Sequence, residues 1–116
     1  MHDSDHGLAI ANAITRLHRE HYGRGAAQAR TVMGRDHVVV FLEDIYTTVE
    51  RTLIDDGKFD TVRQTRFAFQ MTLSGQMSGA VEEITGREVV AFMSSVHESP
   101  DVAAEIFVLK ALGRSG

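Results

Sequence analysis

The stretch AQARTVMGRDHVVVFLE, residues 27–43, decides the fold. Its first part alternates in polarity and its last part is almost entirely apolar. Gly34-Arg35-Asp36 between them is turn chemistry. Alternation carries the two-residue period of a strand, and such a turn joins antiparallel neighbours. A β-hairpin with strands over 27–33 and 37–43 is therefore predicted.

Working outward, residues 7–22 carry Ile10, Ile14, Leu17 and His21 at helical spacing, and Gly23 follows where a left-handed cap belongs. Downstream, Thr47-Thr48-Val49-Glu50 fits a capping box, opening a short helix that runs to Asp56 and stops at Gly57. Asp60 could cap a second, longer helix. Val62, Phe69, Leu73, Met77, Ala80, Val81 and Ile84 keep its period, and Gly86 ends it. Gly75 and Gly79 leave one strip of that helix without side chains. The strip implies close packing there, within the chain or between two chains. EVVAFM (88–93) reads as a third strand, SSVHESPD (94–101) as a loop, and EIFVLK (105–110) as a fourth strand.

The order is helix, β-hairpin, two helices, β-hairpin. That is an α+β fold with a small, mostly antiparallel four-stranded sheet packed with helices. With 116 residues and 43% hydrophobic content, the chain is read as a single domain, 1–116. The ordered core is expected over about 7–111, with tails at 1–6 and 112–116. VVVF, VVAF and IFVL are apolar at consecutive positions, so both faces of the sheet's middle should be buried. If the helices sit on one face, a second subunit must cover the other, and a homodimer is expected.

There is no cysteine, which excludes disulfides and thiolate chemistry. No apolar run approaches bilayer-spanning length, and the polar, acidic MHDSDHG start is unlike a signal peptide. A cytoplasmic protein is expected. The net charge of −4 argues against nucleic-acid binding. Within 16–35, however, Arg16, Arg19, Arg24, Arg30 and Arg35 face Glu20 alone, a net +4 that leaves −8 for the remainder. Such a segment is either a solvated face or a patch for an anion or an acidic partner.

Each candidate site has a plain structural counterpart. His18 and His21 share a helix side and could hold a metal, but no further ligand is placed with them. His21 at a helix end also suits the helix dipole. Gly23-Arg24-Gly25 is not a phosphate loop, because it follows a helix and leads into a strand. Arg24, Arg30 and Arg35 could still hold an anion through side chains alone. Glu50, Arg63, Arg66, Glu82 and Glu83 could form a buried polar network, against surface ion pairs and caps. No nucleophile elbow is present. The residues selected for binding are Tyr22, Arg24, Arg30, Glu50 and Arg66. No catalytic residue, cofactor or metal is assigned.

Several landmarks fall in an order and spacing similar to a family of small bacterial domains named MpsC-like, after a proposed Na+-translocating membrane-potential-generating system. They are Tyr22-Gly23-Arg24-Gly25-Ala26, Thr47 to Leu53, Val62 with Arg66, Val81 to Val89, Ser94-Ser95-Val96 and Ile106 to Leu109. They span about residues 8–110. The chain departs from the pattern at Ala26-Ala27-Gln28, where a lysine or a proline-bearing continuation is usual, and at Ser95, where an acidic residue is frequent. The resemblance implies a cytoplasmic accessory or regulatory domain linked to ion or bicarbonate transport, with a membrane-protein partner. The alternative from the residues themselves is a small-anion sensor or enzyme with a pocket near Tyr22, Arg24 and Arg66.

Overall fold

The computed structural model describes residues 3–113. Helix α1 (Asp3–Tyr22) is followed by strands β1 (Gln28–Met33) and β2 (His37–Glu43). Helices α2 (Thr48–Asp55) and α3 (Phe59–Thr85) come next, then strands β3 (Val89–His97) and β4 (Val102–Leu109). The sheet order is β1-β2-β4-β3, and every neighbouring pair is antiparallel. The predicted α+β layout is the observed one, and the sheet is wholly antiparallel.

Local chemistry accounts for the element ends. Thr47 and Glu50 form the capping box in full: the Glu50 amide donates to Thr47 Oγ1, and the Thr47 amide donates to Glu50 Oε1. Gly86 ends α3 at φ 70°, a conformation that glycine adopts without a Cβ clash. Three boundaries differ from expectation. First, α1 reaches back to Asp3, so residues 3–6 are helical and not a tail. The tail expected from residue 112 lies outside the described residues from 114 on. Second, α3 begins after Lys58, which makes no side-chain cap, and Asp60 sits in the first turn beside Arg63. Third, β3 runs through Ser94-Ser95-Val96-His97, where the sequence predicts a loop. Those residues pair with Glu105, Ala104, Ala103 and Val102, so β4 also starts earlier than predicted.

Helices α1 and α3 pack side by side on one face of the sheet. Their buried Ile10, Ile14, Val62, Leu73, Met77 and Val81 meet Val38, Val40, Leu42, Ala103, Phe107 and Leu109 in one cluster. Register explains the composition of that layer. Val38 lies opposite Phe107, Val40 opposite Glu105 and Leu42 opposite Ala103, all on the covered face. Each large apolar side chain here contributes about 1.5–3 kcal/mol by burial.

The other face carries Val32, Val39, Ile106 and Met93 in one row across all four strands. No helix covers it: Val32 is 42% exposed and Met93 49%. Burial of both sheet faces, expected from the consecutive apolar runs, is thus not achieved within one chain. The glycine strip on α3 is also uncovered, since a Cβ built on Gly75 or Gly79 meets no atom within 4 Å.

Candidate functional site

Polar residues interrupt the apolar stripe of α3 at two successive turns. Between Val62 and Leu73 the buried positions are Arg66 and Gln70. Both face α1 and the covered side of the sheet, and each organises a set of partners.

Arg66 is 1% exposed. Its Nε donates to Glu50 Oε2 at 2.6 Å, and its Nη2 donates to Glu50 Oε1 at 2.6 Å and to the Ile45 carbonyl at 3.0 Å. Glu50 is therefore both the capping residue of α2 and the counter-ion of α3. The Arg66 guanidinium lies 4.0 Å from the Tyr22 ring centroid and 5.5 Å from that of Tyr46. Burial alone would raise the Glu50 carboxyl, but its hydrogen bonds from Arg66 and Thr47 hold it below the usual range. Burial would likewise lower Arg66, and Glu50 reverses this. Burial also pushes the Tyr46 hydroxyl up to about 12 and the Tyr22 hydroxyl higher still. Tyr46 Oη donates to the His97 carbonyl at 2.7 Å.

Gln70 joins two further buried groups. Its Nε2 donates to His18 Nε2 at 2.9 Å and to Glu105 Oε1 at 2.6 Å. His18 Nδ1 donates to the Ile14 carbonyl at 3.0 Å, which leaves Nε2 as the acceptor. Burial lowers the His18 pKa, with the charges of Arg66 and His21 adding to it. Burial raises Glu105 to about 8, against the opposing pull of the Ser94 hydroxyl and Arg66. Although His18 and Glu105 approach to 3.7 Å, both shifts favour the uncharged forms. We read the contact as a neutral pair bridged by Gln70.

Four buried polar atoms of these two sets have no protein partner: Tyr22 Oη, Arg66 Nη1, Gln70 Oε1 and Glu105 Oε2. A native core satisfies nearly all such atoms, so four together mark the region as more than packing. A cavity of about 350 Å³ lies against it, between α3 and β3, with Arg66 and Ser94 in its wall.

The five residues selected from sequence divide three ways. Tyr22, Glu50 and Arg66 come together. Arg24 joins a neighbouring network, donating to the Asp44 carbonyl at 2.8 Å and lying 3.1 Å from the Asp44 carboxylate, which Arg51 also pairs with. Arg30 stands on the opposite, uncovered sheet face, over the Phe41 ring at 4.9 Å. The arginines of 16–35 do not form one patch. Arg35 sits at the hairpin turn and Arg24 before the start of β1, roughly 20 Å apart by strand rise. The two helical histidines are separated, His18 buried and His21 exposed. Among the described residues no three metal-ligating side chains meet.

His18, Gln70 and Glu105 were not selected. Each had a signal. His18 continues the Ile10–Ile14 stripe at four-residue spacing, where His21 had been preferred. Glu105 alternates with Ala103 and Phe107 on the covered face of β4.

A family model described as MpsC, Na+-translocating membrane potential-generating system, matches residues 7–111. No curated protein and no solved structure matches the chain.

Proposed function

The chain belongs to the MpsC family, described as a Na+-translocating membrane potential-generating system, and from that premise we propose a cytoplasmic accessory or regulatory domain acting beside a membrane-embedded partner. Among the described residues no helix is long and apolar enough to cross a membrane. In this reading the ion path belongs to the partner, and this domain binds and regulates.

The observation that carries the reading of a homodimer is the uncovered sheet face. Val32, Val39, Phe41, Ile106 and Met93 form an apolar surface edged by Arg30 and Glu43. An exposed apolar patch with a polar rim is the usual signature of an interface. We assign it to a second copy of the chain. Its edge supports that choice, because Arg30 and Glu43 offer opposite charges that can pair across two identical faces. Strand spacing gives such a face about 500 Å² per protomer, near the lower bound for a specific interface. The dimer is correspondingly weak.

The exposed Arg16 and Arg19 of α1 make no ion pair among the described residues and remain free to meet an acidic surface of the membrane partner. Arg24 is committed to Asp44 and is left out of that role.

The test is affinity purification of the tagged protein from detergent-solubilised native membranes. Recovery of a polytopic membrane protein, lost on Arg16→Glu/Arg19→Glu reversal, is expected. Recovery of the domain alone from both the soluble and membrane fractions contradicts the proposal.

A further inference from the structure

Apart from any membrane partner, the cavity between α3 and β3 has the composition of a ligand site. Its wall combines Arg63, Arg66 and Phe67 of α3 with Ser94, Ser95 and Val96 of β3. Its volume of about 350 Å³ suits a small molecule.

Arg66 explains the polar end. A guanidinium has five N–H donors. Glu50 and the Ile45 carbonyl take three of them, and both donors left are on Nη1. Those two stay unpartnered on a side chain that is 1% exposed and forms part of the cavity wall. A buried charged donor without an acceptor is costly, and an oxygen acceptor supplied by a ligand removes that cost. The Ser94 hydroxyl, which also pulls on Glu105, stands in the same wall as a second polar group. Arg63 adds a second positive charge, held only by the exposed Asp60. No carboxylate lines the cavity.

The rest of the wall is mixed, with Phe67 and Val96 apolar and Gln64 and Ser95 polar. Phe67 is 54% exposed, unusual for a ring on a helix that covers a core. Phe67 and Val96 face a ligand that must itself have an apolar body. We infer that the α3–β3 cavity binds a small amphipathic carboxylate, its carboxylate oxygens on Arg66 Nη1 and Ser94 and its apolar body against Phe67 and Val96. Charge-assisted hydrogen bonds to guanidinium favour a carboxylate over a neutral carbonyl or hydroxyl.

The experiment uses amide NMR spectra of the whole protein, titrated with benzoate, benzyl alcohol and acetate. Benzoate is expected to shift the amides of Phe67 and Ser94 to Val96 saturably at millimolar concentration. Benzyl alcohol lacks the charge and acetate lacks the apolar body, so each should bind at least about tenfold more weakly. Phe67→Ala and Ser94→Ala, neither of which breaks the Glu50–Arg66 pair, should each weaken benzoate several-fold. Arg66→Lys should abolish the shifts, and if that variant does not fold, the other two carry the test. The inference is overturned if benzoate leaves these amides unmoved. It is also overturned if benzyl alcohol matches benzoate, or if the shifts map to Arg30 and Phe41 on the uncovered face.

Discussion

Arg66 and Glu50 are joined by two hydrogen bonds of 2.6 Å, and the same Glu50 carboxylate closes the capping box that starts α2. One acidic side chain therefore fixes where a helix begins and neutralises the charge buried in the next helix. Removing it leaves Arg66 buried without a counter-ion and Thr47 without its reciprocal bond. Breaking one partner of a buried pair costs about 3–5 kcal/mol. Glu50→Ala should lose at least about 3 kcal/mol in denaturant unfolding, and Arg66→Met less, since it leaves the half-buried Glu50 with its cap. A loss under about 1 kcal/mol for Glu50→Ala would show that the pair is not structural.

The His18–Gln70–Glu105 set gives a pH dependence. Folded Glu105 keeps its proton up to about pH 8, whereas its ordinary value is 4.5. The folded state thus binds the extra proton between those values. This contribution to stability is complete below pH 4.5 and is lost as pH rises through about 8. His18 is lowered from 6.5, so its contribution is present above 6.5 and lost as pH falls below it. Of the two, only Glu105 changes above pH 6.5. Stability should fall between pH 6.5 and 8 by up to about 1.4 kcal/mol per unit. Glu105→Gln should flatten that limb, as read by urea unfolding at several pH values. A flat limb in the unsubstituted protein would place a charged Glu105 in the core.

The bare strip on α3 offers a test of whether its glycines serve the monomer. A Cβ at Gly75 or Gly79 meets nothing within 4 Å, and both lie inside a regular helix. Glycine in a helix interior costs up to about 1 kcal/mol relative to alanine. Gly75→Ala and Gly79→Ala should each raise stability by about 0.5–1 kcal/mol in thermal unfolding. Destabilisation would mean that the strip is already in contact within the folded chain.

Much of this was legible in the sequence for identifiable reasons. The Thr47–Glu50 box, the Gly34-Arg35-Asp36 turn and the Gly86 cap are local, and local chemistry decides them. The Ser94–His97 extension of β3 was not legible, because its two serines read as loop. Their pairing is with Glu105 and Ala104 of the next strand, and the lone proline of the short connection between them makes the whole segment read as a turn. Arg66 was recognised as polar and potentially networked. Its neighbours His18, Gln70 and Glu105 were passed over, because a polar residue on an apolar stripe reveals its burial only once the opposing elements are in place. Arg24 and Arg30 were drawn from one basic stretch of the sequence, and strand register then sent Arg30 to the opposite sheet face from Arg66.

The central claim is that the uncovered face of the sheet is covered by a second copy of the chain. Sedimentation velocity over a range of protein concentrations tests it most directly, with Ile106→Lys beside the unsubstituted protein. Ile106 is in the middle row of that face and outside the buried cluster, so lysine there should spare the fold. The account predicts a reversible monomer–dimer equilibrium at micromolar concentration that Ile106→Lys abolishes while monomer stability stays within about 0.5 kcal/mol. A monomer at every concentration, or a dimer that Ile106→Lys leaves intact, would contradict it.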